Sequence, residues 1–290
     1  MSIPIIAGLS EIASAYDAFV FDVWGVAHQG GPAFPEVIAC LERLAAHGKP
    51  VVFLSNAPRR ASRVEAQLVD KGIPRKLHAG VVSSGEITRS ALERRINPDL
   101  ASLGTAYLLI GAESDDDLLE GLPYRRTADP DDADFILAIG LDDERPTVAH
   151  HEALLAAAAE RRLPMVCVNP DRVVVRLGVR ELCAGALAER YLELGGVVHY
   201  FGKPYASAYP PTLTRLGVTD ERRVLAIGDG LETDIRGARS AGLASLLVTG
   251  GILADALGFD RLAPPRPEQL AAACRKANTK PDAAIAVLRW

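Results

Sequence analysis

Several things are scarce in this chain. Its 290 residues include only four cysteines, Cys40, Cys167, Cys183 and Cys274, and no two of them form a C-x-x-C pair. That spacing excludes a disulfide scaffold and a zinc ribbon. Three of the four sit in Ala- and Leu-rich segments, where a thiol behaves as a small buried hydrophobe. No apolar run reaches the roughly 18–20 residues that a membrane-spanning helix needs. Met1 to Ala15 carry no basic region ahead of their apolar residues, which argues against a secretory signal. Positive charge is not in excess: 32 Lys and Arg against 37 Asp and Glu leave a net charge of −5, without the basic stripe of a nucleic-acid binder. No G-x-G-x-x-G follows the first apolar run, so a Rossmann dehydrogenase is not expected. Nor is apolar content low, as it would be in a disordered chain: 49% is hydrophobic and 24% charged. The expectation is a soluble, cytoplasmic globular protein of about two domains, with no nucleic-acid or membrane partner.

Short apolar, β-branched runs recur along the chain: Ala18–Val23, Val51–Leu54, Ala106–Ile110, Phe135–Ile139, Met165–Val168, Val197–Phe201, Val224–Ile227 and Ala244–Val248. They are nearly continuous in hydrophobicity, as strands covered on both faces are. Segments of helical period lie between them, at Pro35–His47, Arg60–Lys71, Thr147–Arg162, Val179–Leu194 and Thr233–Ala241. Gly48, Gly72, Gly195 and Gly242 stand where helices would end. Alternation of strand and helix predicts parallel sheets with right-handed crossovers, hence an α/β protein. The Asp-rich stretch Ser114–Asp117 lacks the Gly and terminal Glu of a calcium loop and reads as a helix start, where carboxylates meet the positive dipole end.

In open parallel sheets, ligands bind beyond the carboxyl ends of the strands. The residues just after the apolar runs are therefore informative. The first run ends in Asp22-Val-Trp-Gly-Val and the second in Ser55-Asn56. Val197–Phe201 leads to Gly202-Lys203-Pro204, and Val224–Ile227 leads to Gly228-Asp229 and on to Thr233-Asp234. Taken singly, an Asp here is a helix cap, Ser55 a turn residue and Lys203 a surface charge. Together they put a carboxylate, a hydroxyl with an amide, an ammonium and a carboxylate pair at four strand ends. Carboxylates without a His or Cys cluster suit Mg²⁺ rather than zinc. A hydroxyl and a Lys suit phosphate, and a carboxylate facing a metal-held phosphate can attack phosphorus.

At these residues the chain resembles the haloacid dehalogenase superfamily, and within it the class IIA, NagD-like branch. Asp22-Val-Trp-Gly-Val stands at the first motif (Asp-x-Asp-Gly-Thr/Val), Leu54-Ser55-Asn56-Ala57 at the second, Gly202-Lys203-Pro204 at the third, and Gly228-Asp229 through Thr233-Asp234-Ile235 at the fourth. The resemblance implies a doubly wound, Rossmann-like core over residues 1–84 and 197–290 and an inserted α/β cap over residues 85–196, which in this family often dimerises. It implies that Asp22 is the nucleophile and a Mg²⁺ ligand, and that Lys203 bridges nucleophile and phosphate. Ser55 and Asn56 would hold the phosphoryl group. Asp229, Asp234 and the backbone carbonyl of Trp24 would complete the metal site. Asn169-Pro170-Asp171 resembles a segment usual in these caps, which makes Asn169 and Asp171 candidates for substrate binding. The implied activity is hydrolysis of a small phosphorylated metabolite, such as a sugar phosphate or nucleotide, through an aspartyl-phosphate.

One position departs from the pattern. The family's phosphatases carry a second Asp two residues after the nucleophile, as general acid and base, and here that residue is Trp24. Indole cannot transfer a proton at neutral pH, and losing a general acid typically costs about 10²–10⁴-fold. Three readings follow. The substrate has a good leaving group; another residue takes over, with His28 the nearest titratable candidate and Glu232 and Asp142 behind it; or the chain binds phosphorylated metabolites with weak or vestigial catalysis. A subgroup with Asp-Val-Trp-Gly-Val belongs to the same resemblance. Hydrolytic dehalogenation, which needs no metal, would leave Asp229 and Asp234 without purpose.

Overall fold

The computed structural model describes residues 3–142 and 144–290. Met1 and Ser2, part of the segment read above for a leader, lie outside them. The strands are β1 (Ala18–Phe21), β2 (Val51–Ser55), β3 (Gly80–Ser83), β4 (Ala106–Ile110), β5 (Arg125–Thr127), β6 (Phe135–Ala138), β7 (Met165–Cys167), β8 (Val173–Arg176), β9 (Val179–Leu182), β10 (Val198–Tyr200), β11 (Val224–Gly228), β12 (Ala244–Val248) and β13 (Ala283–Ile285). They form a six-stranded sheet ordered β13-β12-β11-β1-β2-β3, a five-stranded sheet ordered β10-β7-β6-β4-β5, and the hairpin β8-β9. Every pair in the two large sheets is parallel. The chain is an α/β protein with helices flanking parallel sheets.

Burial on both faces explains the unbroken apolar runs. Phe19 and Phe21 of β1 face a cluster with Val37, Leu41 and Leu44 of the helix Pro35–Ala46, while Ala18 and Val20 face one with Tyr209 and Leu216 of the helix Tyr209–Leu216. That second cluster runs on through Leu54, Leu92 and Leu100 to Tyr107, Phe135 and Val166, so one apolar mass joins the two large sheets. Within the six-stranded sheet the chain winds from β1 to β2 and β3 on one side. It returns to β11 on the other side of β1, making the β1/β11 boundary a topological switch point.

The structure corrects the sequence reading in three places. Residues Val179–Leu182, expected as the start of a helix, are a strand paired antiparallel with Val173–Arg176, and the helix begins only at Ala184. The turn between them is Leu177-Gly178, with φ of +49° and +83°. Two positive φ values in a two-residue loop match the twist of a hairpin, so the turn overrides the helical period. Short strands at Gly80–Ser83, Arg125–Thr127 and Ala283–Ile285 were also missed, because runs of three or four residues carry little periodic signal. Finally, Ser114–Asp117 does not open an α-helix: Glu113–Asp115 form one 3₁₀ turn. Asp115 pairs with Arg59 at 2.8 Å and Asp117 with Arg63 at 3.0 Å, so this acidic stretch fastens the loop after β4 to the segment after β2.

Among the described residues, no helix is long and apolar enough to cross a membrane.

Candidate active site

Asp22 follows β1 and Asp229 follows β11, adjacent parallel strands in register Phe21↔Ile227. Both carboxylates therefore emerge at the switch point. Asp234 lies in a π-helical stretch, Leu231–Ile235, after β11, where its Oδ2 accepts from Gly230 N at 3.0 Å. Asp22, Asp229 and Asp234 are buried and each offers an oxygen within 4.8 Å of the other two. Lys203, 4% exposed, donates from Nζ to Asp22 Oδ1 at 2.5 Å and to Asp234 Oδ1 at 2.7 Å. Four charged side chains from three segments of the chain thus form one buried cluster.

Their electrostatics follow from that crowding. Burial, then the Asp234 charge, push the Asp22 carboxyl well above its ordinary range against the pull of Lys203. Asp229 is raised to about 7 by burial and Asp234, although Ile252 N donates to its Oδ2 at 2.8 Å. Burial alone would lower Lys203, but the Asp22, Asp234 and Asp171 charges outweigh it and hold the ammonium above its ordinary value. Three carboxylates against one ammonium leave net negative charge where it is most costly, and a hard divalent cation with oxygen ligands would relieve it. The donor set, all oxygen with no His or Cys, fits Mg²⁺.

Close approach by backbone is required as well. Gly25 has φ +79°, and a Cβ there would lie 1.9 Å from Asp229 Oδ2. Only glycine leaves that carboxylate its place.

Other residues singled out in the sequence fall into different positions. Ser55 ends β2 beside β1, buried, its Oγ accepting from Ala57 N at 3.2 Å. Asn56, expected to donate to phosphate, has its amide engaged within the protein. Its Nδ2 donates to Asp171 Oδ1 at 2.9 Å and to Lys203 O at 3.0 Å, while its Oδ1 accepts from Lys203 N at 2.8 Å. Both amide hydrogens are committed there, and the side chain clamps the Lys203 loop to Asp171. Asn169 is likewise a positioning residue: its Oδ1 accepts from Asp171 N at 3.0 Å. Asp171 itself lines the cavity with Asp22, Asp229 and Asp234, and burial raises its carboxyl against Lys203 and the Asn56 hydrogen bond.

Trp24 also lines that cavity, but its indole points to the hairpin, where Nε1 donates to Val175 O at 2.9 Å. His28 is not among the cavity-lining residues. Its Nδ1 accepts from Gly30 N at 3.0 Å, its ring meets Trp24 edge-on at 5.0 Å, and burial with nearby Lys71 and Arg176 lowers it to about 4. A neutral, committed imidazole away from the carboxylates does not suit the part of substitute acid. Asp142 is taken by Arg145 at 2.9 Å, and Glu232 lies 3.9 Å from Arg236.

Missed entirely were Gln29, Val173–Val175 and Ile252, which complete the cavity wall. The alternating Val-Arg-Leu-Gly-Val-Arg stretch around Leu177-Gly178 carried the signal for the hairpin among them.

Comparison with known proteins agrees with this layout. A family model described as haloacid dehalogenase-like hydrolase matches residues 19–125, and a HAD-hydrolase-like model matches residues 200–277. A haloacid dehalogenase-like hydrolase from Brucella suis is 33% identical, covering 98% of this chain and 99% of its own, with a TM-score of 0.82. D-glycerol 3-phosphate phosphatase from Mycobacterium tuberculosis is 27% identical over 247 residues, 84% of this chain, which spans only 66% of that protein's length. Structures of a glycerol phosphate phosphatase from the same organism, in complex with calcium and with magnesium, share the fold at TM-scores of 0.63 and 0.62 and 23% identity; each covers 83% of this chain, and 68% and 69% of its own. A 4-nitrophenylphosphatase from Schizosaccharomyces pombe is 23% identical, over 89% of this chain and 92% of its own.

Proposed function

This chain belongs to the haloacid dehalogenase-like hydrolases, and we propose that within them it is a Mg²⁺-dependent phosphatase of a small phosphorylated metabolite, acting through an aspartyl-phosphate. The observation that carries this reading is Lys203 bridging Asp22 and Asp234 inside a buried carboxylate triad at the switch point. The named relatives, phosphatases of glycerol phosphate and nitrophenyl phosphate, support a small phosphate ester as substrate. We assign residues 1–84 and 197–290 to the core and residues 85–196 to a cap. Four buried free thiols support a reducing compartment, the cytoplasm.

Asp22, Asp229, Asp234 and the Trp24 carbonyl would hold the magnesium, which when bound offsets the charge of the carboxylates and of the phosphoryl oxygens. Lys203 orients Asp22 and neutralises it enough for an anionic phosphate to approach. Ser55 Oγ, at the neighbouring strand end, supplies a hydroxyl donor to the phosphoryl group. An oxygen of Asp22 attacks phosphorus, the ester P–O bond breaks, and the leaving oxygen departs with the bonding pair. Water then attacks the acyl phosphate, releasing inorganic phosphate and restoring the Asp22 carboxylate. With Trp24 in place of the usual acid, no side chain at that position protonates the leaving oxygen. Leaving groups that are stable as anions, such as acyl and aryl oxygens, are therefore favoured over alkoxides.

The test is turnover of acetyl phosphate, p-nitrophenyl phosphate and glycerol 3-phosphate, each with and without Mg²⁺. The first two should show the higher kcat, and Trp24→Asp should raise kcat for the third. Equal kcat for all three contradicts the part given to Trp24. Asp22→Asn should abolish turnover with the fold intact, and retained activity rules out covalent catalysis there. The alternative favoured by Trp24, a phosphometabolite-binding protein with vestigial catalysis, is the outcome if phosphate binds but no ester is turned over.

A further inference from the structure

Strand β8 of the hairpin forms one wall of the site. Val173, Val174 and Val175 line the same cavity as Asp22, Asp229 and Asp234, and that cavity measures only about 40 Å³. A water needs about 10–15 Å³ on this measure, so the space holds on the order of three waters. That is room for a phosphoryl group between the carboxylates and β8, and a bulkier leaving group has to be accommodated past the hairpin.

What holds the hairpin there is the loop after β1. Trp24 Nε1 donates to Val175 O at 2.9 Å, the Arg176 guanidinium stands 4.8 Å from the centroid of the Trp24 ring, and Leu177 N donates to Gln29 O at 3.0 Å. On the far side, Arg180 of β9 pairs with Asp255 at 2.6 Å. An ionised carboxylate at position 24 would have no hydrogen to give the Val175 carbonyl, because it only accepts. The residue type that removes the proton-transfer group is thus the one that supplies a tie to the hairpin.

We propose that Trp24 is a specificity-determining positioning residue: its indole latches the β8-β9 hairpin closed, so the site takes compact phosphates directly and larger ones only after the latch opens. The substrate half of this inference rests on the phosphatase reading; the latch does not. A substrate that binds only the open form has its apparent affinity reduced by the open fraction. The opening equilibrium and the KM of a bulky substrate therefore move by the same factor.

The experiment uses the full-length protein with Mg²⁺ and the variant Trp24→Phe, which keeps a ring under Arg176 and removes the donor. Amide hydrogen exchange at Leu177 should quicken about fivefold, the equilibrium worth of one neutral hydrogen bond. Cross-strand amides within the hairpin should not change, since the hairpin swings as a unit. The ratio of KM for p-nitrophenyl phosphate to KM for acetyl phosphate should fall by the same factor. Arg176→Gln, which removes the stacking and the Arg176–Glu181 pair inside the hairpin but leaves the Trp24 donor, should move both readouts in the same direction by less. Unchanged Leu177 exchange in Trp24→Phe overturns the latch. Faster exchange with an unmoved KM ratio overturns its role in specificity. If the wild type turns over no phosphate while Leu177 still responds, the phosphatase reading falls and the latch stands.

Discussion

Replacing Lys203 with methionine, close to it in volume, separates charge from packing at the centre of the site. In the wild type the ammonium is 4% exposed and bonded to Asp22 at 2.5 Å and Asp234 at 2.7 Å. Removing one partner of a buried ion pair costs about 3–5 kcal/mol, because the other charge is left unpaired. At about 2–4 °C per kcal/mol for a chain of this size class, metal-free Lys203→Met should melt about 10 °C below the wild type at pH 8. The penalty should shrink toward pH 5. There Asp229, raised to about 7 by burial, takes up a proton and no longer needs a cation, and the upward shift of Asp22 acts in the same direction. Lys203 itself, held above its ordinary value, keeps its charge throughout this window, so the pH dependence belongs to the carboxylates. Mg²⁺ should stabilise the variant more than the wild type, since it binds a more negative triad with no ammonium competing. Thermal unfolding of both proteins at pH 5 and 8, with and without Mg²⁺, reads all four quantities. A metal-free variant as stable as the wild type at pH 8 refutes the idea that this ammonium makes the buried triad tolerable. So does a Mg²⁺ response no larger than the wild type's.

Three further outcomes follow from the same geometry. Asp229, ordinarily near 3.9 and raised to about 7, is protonated in the folded, metal-free state where the unfolded chain is not. Its contribution to stability is thus present below about pH 4 and lost as pH rises through 7, and since a metal must displace that proton, the melting shift given by Mg²⁺ should grow from pH 5 to 8; a constant shift contradicts this. Gly25→Ala would drive a Cβ to within 1.9 Å of Asp229 Oδ2 at φ +79°, so Mg²⁺ affinity measured by calorimetry should fall at least about tenfold, with about 1–2 kcal/mol of backbone strain. Asn56→Ala leaves Lys203 N, Lys203 O and Asp171 Oδ1 without their partner, and at about 1–3 kcal/mol for an unsatisfied buried group it should lower the melting temperature markedly; Asn56→Asp, which sets a second acceptor-only carboxylate against Asp171 Oδ1 and the Lys203 carbonyl, should not rescue it, and a melting temperature as high as the wild type's in either variant contradicts the clamp.

The large sheets were legible because strands covered on both faces must be apolar throughout. Ala106–Ile110 and Ala244–Val248 fall on the residues that the hydrophobic runs mark. The hairpin was not, because its burial is one-sided. Val175 of β8 is buried while Val179 of β9 is 62% exposed, and the mixed apolar and polar residues of β9 run on into the amphipathic period of the helix that follows. Its evidence lay in two turn residues, Leu177 and Gly178, of which only the glycine advertises a positive φ. The edge strands β5 and β13 are three residues long, shorter than any period can resolve.

The site divides along a similar line. Asp22, Asp229, Asp234 and Lys203 were readable because each charge follows an apolar run, and a parallel sheet sends the ends of neighbouring strands to one edge. What side chains do to one another across the fold was not readable. Nothing in Ser55-Asn56 says that the amide would be spent on Lys203 and Asp171, and nothing around Trp24 says that its N–H meets Val175 from 151 residues away. Read along the chain, Trp24 is only the loss of an acid. In the folded protein it is also a gain, because the same side chain that cannot move a proton fastens the wall of the cavity. Restoring a carboxylate at position 24 therefore perturbs two properties at once: it returns proton transfer, which raises kcat on alkyl phosphates, and it releases the hairpin, which lowers KM for a larger leaving group. Trp24→Phe removes the latch without returning the acid, so the difference between the two variants, measured on one alkyl and one acyl phosphate, isolates the proton from the hinge.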